Sequence, residues 1–226
     1  MPASKDNALV LLSGGQDSTT CLYWAIDYFD GGTVATLAFD YGQRHRIELE
    51  CAVKIAATAG VAHDCLPIDT FAALGGDALT DSAIDVHADL GPNSGLPNTF
   101  VPGRNLIFLT YAAAFAYPRD IRHLVIGVAQ TDYSGYPDCR EHTISSLQKT
   151  IRLGMDNDIT IHAPLMHRSK KETVELAIAL GALDVMAMTH TCYNGKRPPC
   201  GTCPACQLRA KGFAEAGAED PLLTNS

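Results

Sequence analysis

The chain has 226 residues, of which 46% are hydrophobic, so it can bury a core, and a mainly disordered protein is excluded. Lys and Arg number 17 against 25 Asp and Glu, which gives a formal net charge of -8. This balance argues against a nucleic-acid-binding protein with a basic face and against a polybasic membrane-surface protein. The longest apolar run, residues 111–117, is far too short to span a membrane, and we expect a cytoplasmic protein.

Short apolar segments alternate along the chain with segments of helical periodicity, a pattern typical of βαβ units and a parallel sheet. Five strands are predicted, at residues 8–12, 33–39, 65–68, 124–128 and 159–163. Helices are predicted at about residues 22–29, 43–59 and 102–117, and another begins at Ser169, which forms a capping-box pattern with Glu172. The predicted fold is therefore α/β, with a doubly wound, mostly parallel five-stranded sheet, in a single domain over residues 1–226.

Residues 70–101 do not follow this alternation. They are rich in Gly, Asp, Pro and Asn, and a loop of this length in a compact domain usually covers a site or is disordered. Four aspartates recur in it at every fourth position: Asp77, Asp81, Asp85 and Asp89. We interpret them as solvated charges rather than as cation ligands.

A glycine-rich turn, Ser13-Gly-Gly-Gln-Asp-Ser18, lies between the first predicted strand and the first predicted helix. Adjacent glycines let backbone N–H groups converge, and the helix N-terminus adds its positive end, so we expect a phosphate to bind there. Ser13 and Ser18 can donate hydrogen bonds to phosphate oxygens, and Asp17 can hold Mg²⁺ or cap the helix. A plain helix N-cap with a glycine turn is the alternative.

Four of the eight cysteines crowd into one segment near the C-terminus: Cys192, Cys200, Cys203 and Cys206. Because C-x-x-C turns place two sulfurs on one ion, we predict a closed, structural four-cysteine zinc site within a zinc-binding appendix at residues 190–212. An iron–sulfur cluster and unliganded thiols are the alternatives. We interpret Cys21, Cys51 and Cys65 as small buried hydrophobic residues.

A zinc deaminase is a further reading of the cysteines. Cys139-Arg-Glu141 and Pro199-Cys200-Gly-Thr-Cys203 together match its ligand pattern. This assignment would leave Cys192 and Cys206 without a role and give the glycine-rich turn nothing to bind, so it is the weaker hypothesis.

Basic and aromatic residues at the ends of predicted elements are further candidates. Tyr41, Gln43 and Arg44 follow the second strand, at the edge where open sheets bind ligands, and we assign them to the nucleotide side. Arg104 opens a helix and can clamp a carboxylate or phosphate, or lie on the surface. Lys170, near another helix start, can reach a phosphate or be solvated.

The turn at residues 13–18 resembles the S-G-G-x-D-S pyrophosphate loop of the ATP-pyrophosphatase superfamily, whose implied reaction is adenylation of an oxygen with release of pyrophosphate. With four further stretches, the chain resembles the 7-cyano-7-deazaguanine synthase family. Those stretches are Phe39-Asp-Tyr-Gly-Gln-Arg-His45, Val101-Pro-Gly-Arg-Asn105, Asp132-Tyr-Ser-Gly-Tyr-Pro-Asp-Cys-Arg140 and the cysteine segment. The matches run in the expected order from residue 13 to residue 206.

The resemblance implies a Rossmann-like adenine nucleotide hydrolase type of fold and an ATP-dependent carbon–nitrogen ligase of queuosine biosynthesis. This enzyme converts 7-carboxy-7-deazaguanine and ammonia to 7-cyano-7-deazaguanine and releases AMP and pyrophosphate. The resemblance implies Mg²⁺ with the ATP, one structural zinc ion per chain, small-molecule partners only, with no nucleic acid and no membrane, and a homodimer. It implies ATP binding by Leu12, Ser13, Gly14, Gly15, Gln16, Asp17, Ser18, Thr19, Thr20, Cys21 and Leu22.

The stretch at residues 132–140 is the candidate substrate site. A guanine-like edge presents adjacent N–H donors, which a carboxylate accepts in pairs, so Asp132 or Asp138 is expected to read it. Tyr133 and Tyr136 are expected to stack on the base, and the resemblance adds Arg140. A simple polar turn is the alternative, since Ser-Gly and Tyr-Pro are turn formers.

Two other functions are also consistent with the sequence. A tRNA-thiolating enzyme of the same superfamily would need a C-x-x-C pair free to carry sulfur and a basic face for RNA. A non-catalytic zinc-ribbon interaction module would bind nucleotide without turnover. In the favoured ligase, the catalytic residues are expected to be Ser13, Asp17, Ser18, Arg104 and Lys170.

Overall fold

The computed structural model describes residues 6–43, 45–74, 77–80, 84, 86, 96–131 and 135–224. Five strands form one sheet: β1 (Ala8–Leu11), β2 (Val34–Asp40), β3 (Ala62–Pro67), β4 (His123–Val125) and β5 (Thr160–His162). Their order is β3-β2-β1-β4-β5, and every neighbouring pair is parallel. The predicted five-stranded parallel sheet is confirmed.

The helices alternate with these strands along the chain. They are α1 (Gln16–Tyr28), α2 (Ile47–Ala59), α3 (Thr70–Leu74), α4 (Arg104–Ala116), α5 (Glu141–Met155), α6 (Lys170–Ala179), α7 (Pro204–Ala216) and α8 (Pro221–Thr224). The capping box before α6 is confirmed, because Ser169 and Glu172 exchange side-chain-to-backbone hydrogen bonds. Helix α5 was not predicted from the sequence, and only its residues Ile144 and Ile151 are buried.

Helices cover both faces of the sheet, and this explains the unbroken apolar run of β1, whose residues are all buried. Leu9 and Leu11 pack on one face among residues of α4 and α5. Ala8 and Val10 pack on the other face among residues of α1 and α2. The sheet is therefore doubly wound, as predicted.

The strand order changes direction between β1 and β4, because β2 and β3 extend the sheet on one side and β4 and β5 on the other. Loops that follow β1 and β4 then leave in opposite directions and open a crevice at the carboxyl ends of these strands. Open α/β sheets bind their ligands at this point. The glycine-rich turn after β1 lies there.

One prediction about the segment of residues 70–101 is wrong. Asp77 is 2% exposed rather than solvated, because its carboxylate accepts hydrogen bonds from the backbone N–H of Leu79 and from the N–H and hydroxyl of Thr80. The segment also begins with the helix α3. The other three aspartates of the series, Asp81, Asp85 and Asp89, lie outside the described residues.

The cysteines outside the C-terminal cluster are buried less uniformly than predicted. Cys21 and Cys51 are buried, but Cys65 is exposed, because it lies on the edge strand β3.

Among the residues that the structure describes, every helix is too short or too polar to cross a membrane.

Candidate active site

A cavity of about 520 Å³ opens at the carboxyl ends of the central strands, within the usual size range of ligand sites. Its wall includes the turn after β1, the end of β2, the segment after β4 and the starts of α4 and α6. Ten of the predicted site residues line it: Leu12, Ser13, Gly15, Gln16, Asp17, Ser18, Tyr41, Arg104, Tyr136 and Lys170. The fold therefore brings together residues that are far apart in sequence.

The glycine-rich turn packs against α2 at a contact that requires glycine at position 14. Gly14 has a φ of 86°, and a Cβ atom there would lie 2.1 Å from the carbonyl oxygen of Glu48. On its other side, the N–H of His190 donates to the Gly14 carbonyl at 2.9 Å. The turn is thus held between α2 and the segment that precedes the cysteine cluster.

The hydroxyls of Ser13 and Ser18 meet inside this turn, with their oxygens 3.1 Å apart. The Ser13 N–H donates to Ser18 Oγ at 3.2 Å, which closes the turn over the start of α1. Gly15 is the N-cap of α1, and no side chain of the described residues caps that helix. Asp17 therefore does not act as the cap, and the geometry suits an anion at the end of α1.

Asp17 and Lys170 form an ion pair across the cavity wall, with Asp17 Oδ2 2.6 Å from Lys170 Nζ. The other carboxylate oxygen, Asp17 Oδ1, is buried and has no hydrogen-bond partner among the described residues. A buried, unpaired carboxylate oxygen is costly unless a donor or cation binds it. This oxygen fits the Mg²⁺ predicted for Asp17, because carboxylate oxygens are the ligands that Mg²⁺ prefers.

The remaining residues predicted to bind nucleotide lie behind the turn rather than in the cavity wall. The hydroxyls of Thr19 and Thr20 donate to the carbonyls of Gly15 and Gln16, at 2.8 Å and 3.0 Å. Cys21 and Leu22 are fully buried in the core, and Gly14 contributes its backbone to the contact with α2. In this structure these residues support the turn.

Arg104 lies at the first position of α4, and its guanidinium faces the phenol ring of Tyr41. Arg104 Nη1 donates to the Tyr41 hydroxyl at 3.3 Å, and the guanidinium carbon lies 5.9 Å from the ring centroid. Burial raises the pKa of the Tyr41 hydroxyl to about 12, so the phenol stays neutral. Arg104 therefore keeps its positive charge at the cavity with a neutral partner, and it can bind an anion there.

Gln43 lies next to the cavity, but its side chain is used within the protein. It accepts a hydrogen bond from the Tyr41 N–H at 2.9 Å and donates to the Phe39 carbonyl at 3.2 Å. With 1% exposure it shapes the end of β2 and does not line the cavity. Arg44, which was predicted beside it, lies outside the described residues.

The candidate substrate stretch is described only from residue 135 onwards, so Asp132 and Tyr133 lie outside the described residues. Tyr136 lines the cavity and hydrogen-bonds through its hydroxyl to Thr99 at 2.6 Å. Asp138 is buried, and its Oδ2 accepts the N–H of Asn105 in the first turn of α4, at 3.0 Å. The described geometry of Asp138 is therefore that of a side chain fixing the start of α4.

Arg140 is the last predicted residue of that stretch. Its guanidinium donates to the Gly135 carbonyl at 3.3 Å on the exposed surface, and it is not part of the cavity wall.

Several cavity residues were not identified from the sequence. Gly127, after β4, lets the turn approach, since a Cβ there would lie 3.1 Å from the N of Ser18. A glycine inside a predicted strand was the available signal for such a contact. Phe39 and Phe108 stack with ring centroids 4.5 Å apart and form an apolar wall that suits a planar base. Glu48 also lines the cavity, and no sequence signal marked it.

The four clustered cysteines form a candidate metal centre. Their sulfurs all lie within 4.8 Å of one another, and Cys200 Sγ and Cys206 Sγ are 4.0 Å apart. Tetrahedral zinc with sulfur at about 2.3 Å requires sulfur–sulfur distances of about 3.8 Å. A hydrogen bond from Cys206 lowers the pKa of the Cys203 thiol. This donor set fits the predicted metal site.

Comparison with protein families identifies the chain. Residues 7–217 match the family model described as queuosine biosynthesis protein QueC. The chain belongs to the QueC family. Proteins named 7-cyano-7-deazaguanine synthase are similar to this QueC chain over nearly all of its length. The one from Chromobacterium violaceum is 65% identical over 221 residues, which cover 98% of this chain and 94% of the relative. The one from Laribacter hongkongensis is 62% identical over 220 residues, with coverages of 96% and 94%.

Solved structures support the fold of this QueC chain. The U34-tRNA thiolase NcsA from Methanococcus maripaludis, solved with its [4Fe-4S] cluster, is similar with a TM-score of 0.52 and 18% identity. That similarity covers 98% of this chain and 68% of the thiolase. A predicted subunit of tRNA methyltransferase from Methanocaldococcus jannaschii has a TM-score of 0.50 and 18% identity, with coverages of 76% and 74%. At this identity the likeness concerns the fold alone.

Proposed function

We propose that this chain catalyses the ATP-dependent conversion of 7-carboxy-7-deazaguanine and ammonia to 7-cyano-7-deazaguanine in queuosine biosynthesis. One observation carries the proposal. In a member of the QueC family, the glycine-rich turn at residues 13–18, the pair of Asp17 and Lys170, and Arg104 line a single cavity. The relatives named for this activity share most of their length with the chain.

The reaction requires two activations. The substrate carboxylate attacks the α-phosphate of ATP, pyrophosphate leaves, and ammonia then displaces AMP to form an amide. The amide oxygen attacks a second ATP, and after a further pyrophosphate has left, elimination of AMP and a proton gives the nitrile. No protein nucleophile is needed, so the protein accelerates the reaction by positioning and by neutralising charge.

The cavity residues have different proposed roles in positioning the reactants and neutralising their charge. The N–H groups at the start of α1, with the hydroxyls of Ser13 and Ser18, would bind the departing pyrophosphate. Lys170 and Arg104 would neutralise the charge that develops on the phosphates and on the substrate carboxylate. The wall of Phe39 and Phe108 would accept a flat base. The two aromatic rings thus suit the flat ring system of an adenylated heterocycle, and the two cations suit its phosphate part.

Base recognition would fall to the stretch at residues 132–140. Because Asp138 already accepts the N–H of Asn105, we favour Asp132 as the carboxylate that reads the guanine-like edge. Tyr133, Tyr136 and Arg140 complete the proposed substrate set.

The metals have separate proposed roles. Asp17 would hold Mg²⁺ through its unpaired buried oxygen, and the ion would supply charge neutralisation for the phosphates. The four-cysteine cluster would hold one zinc ion, which braces the segment at residues 190–212 without taking part in the chemistry. We also propose a cytoplasmic location, where thiols stay reduced, and a homodimer. Light scattering would measure the oligomeric state.

Turnover of ATP with 7-carboxy-7-deazaguanine and ammonium tests the proposal. The expected products are AMP, pyrophosphate and the nitrile, with two ATP molecules consumed per nitrile formed. Formation of ADP and phosphate would contradict the proposal, and so would binding of nucleotide without turnover. A sulfur-transfer reaction is disfavoured because all four clustered thiols are close enough to share one ion, which leaves no free pair in that cluster.

A further inference from the structure

We propose that Arg209 is a positioning residue for ATP binding. Together with Asp220 it holds residues 189–191 against the glycine-rich, phosphate-binding turn at residues 13–18. The inference rests on the proposed function only in taking ATP as the ligand of that turn. It assigns a role to Arg209, which lies within the predicted zinc-binding appendix but is not one of the predicted site residues, and to Asp220, which lies beyond that appendix.

The Arg209 side chain, on α7, is 5% exposed, and all five of its N–H donors have partners. Nε and Nη2 bind the two oxygens of Asp220 in a bidentate pair, at 2.6 Å and 2.7 Å. Nη1 donates to the hydroxyls of Thr189 and Thr191, at 2.7 Å and 3.0 Å. The second N–H of Nη2 reaches the Met186 carbonyl at 3.1 Å.

The two threonines flank the residue that contacts the phosphate-binding turn. The N–H of His190 donates to the Gly14 carbonyl at 2.9 Å, and its ring nitrogen Nε2 lies 2.9 Å from the Cys192 carbonyl. A Cβ atom on Gly15 would lie 3.5 Å from the His190 carbonyl oxygen. A shift of this segment would therefore move Gly14 and the N–H groups that follow it.

Arg209 contributes to the cavity wall, yet it has no N–H left for a phosphate. Its positive charge is also matched by the buried carboxylate of Asp220. The arrangement therefore points to positioning through residues 189–191 rather than to direct binding of ATP. Cys206 lies one turn earlier on the same helix, so α7 also links Arg209 to the cysteine cluster.

Asp220→Asn distinguishes positioning of the turn from direct binding of phosphate, because the two roles predict opposite changes in the dissociation constant for ATP. If Arg209 positions the turn, weakening its bidentate anchor should raise the dissociation constant for ATP with Mg²⁺, measured by calorimetry, roughly tenfold. If Arg209 binds phosphate directly, freeing its N–H groups should lower that constant. Arg209→Lys, which keeps the charge but loses the fork, should also raise it.

Thr191→Val provides a milder variant in case the buried pair is needed for folding. It removes one hydrogen bond of 3.0 Å from Arg209 and should raise the ATP dissociation constant about threefold. The exposed pair of Arg122 and Asp120 supplies the matched control, and Asp120→Asn should leave the constant unchanged. The zinc content should stay at one ion per chain in every variant.

Loss of stability alone would lower the fraction of active protein without changing the ATP affinity of the folded fraction. Unchanged dissociation constants in folded Asp220→Asn and Thr191→Val would therefore overturn the inference. If the wild type binds ATP but forms no nitrile, only the proposed function fails. If the wild type binds no ATP, both fail.

Discussion

The carboxylate of Asp17 and the ammonium of Lys170 lie 2.6 Å apart, although 153 positions separate the two residues in sequence. Asp17 lies in the first turn of α1 and Lys170 is the first residue of α6, so two helix starts meet at the cavity. Both groups are largely shielded from water, with 29% and 10% of their side chains exposed. The pair sets a positive group beside the glycine-rich turn at residues 13–18.

Removal of the lysine charge should reduce turnover. For Lys170→Gln we expect kcat/KM for ATP to fall by at least about tenfold, since a charge that stabilises the phosphates is lost. Lys171→Gln is the matched control, because Lys171 is exposed and pairs with Glu175 at 3.6 Å. Steady-state kinetics of pyrophosphate release would measure both variants, and equal kcat/KM values would contradict the assignment of Lys170.

Gly14→Ala should prevent the turn from packing on α2. The new Cβ would lie 2.1 Å from the Glu48 carbonyl oxygen, and the φ of 86° is unfavourable for alanine. We expect the free energy of unfolding to drop by about 3 kcal/mol or more. Gly60→Ala is the control, with a φ of 69° but no contact within 4 Å of the added Cβ from other described residues beyond its chain neighbours, and it should cost about 1 kcal/mol. Urea denaturation would compare them, and similar losses would mean that the contact with Glu48 relaxes easily.

Gly212→Ala should disturb Lys170 from the opposite side. A Cβ on Gly212 of α7 would lie 2.9 Å from the Lys170 Cβ, so α7 and α6 would have to separate. We expect a stability loss of about 1–3 kcal/mol with a several-fold fall in kcat/KM. Gly154→Ala, in α5, where a Cβ would meet no other described segment within 4 Å, should instead be neutral or stabilising by up to about 1 kcal/mol. Wild-type kinetics in folded Gly212→Ala would show that Lys170 tolerates the shift.

The cysteine cluster should bind one zinc ion per chain, measured by mass spectrometry of metals on the native protein. Cys206→Ser should lose the metal and lower the melting temperature, because the site then lacks one of its four sulfurs. Cys65→Ser changes an exposed thiol outside the cluster and should keep both the metal and the wild-type melting temperature. Full zinc content in Cys206→Ser would contradict the four-cysteine assignment, and iron in the wild type would favour the iron–sulfur alternative.

Acid should destabilise the protein partly through His162. Burial, together with the neighbouring His123, lowers the pKa of the His162 imidazole from 6.5 to about 4. The unfolded chain therefore binds the proton more tightly, and the free energy of unfolding should decrease as the pH falls from about 6.5 to about 4. We expect about 1–2 kcal/mol from this group after allowing for its partial exposure. In denaturation measured across this range, His162→Gln should flatten the slope, and an unchanged slope would assign the loss to other groups.

Local sequence patterns predicted the elements whose signals are short-range. The prediction of strand β1 from its apolar run and the prediction of the capping box of Ser169 and Glu172 are confirmed. Both features depend on adjacent residues, since they reflect burial on both faces of the sheet and helix capping. The predicted exposure of Asp77 and the predicted burial of Cys65 were wrong, because the burial of a single side chain depends on neighbours that the local sequence does not reveal. The helix α5 was not identified, since few of its residues face the core.

The sequence by itself determined the chemical parts of this protein: the glycine-rich turn, the four clustered cysteines and the five strands. Those parts are contiguous motifs, and backbone conformation and ligand spacing follow from them directly. Only the tertiary structure decided which distant groups meet, among them Asp17 with Lys170 and Arg209 with Asp220. Such pairs form because the sheet and the packed helices bring remote segments to one edge, where burial makes a matched charge necessary.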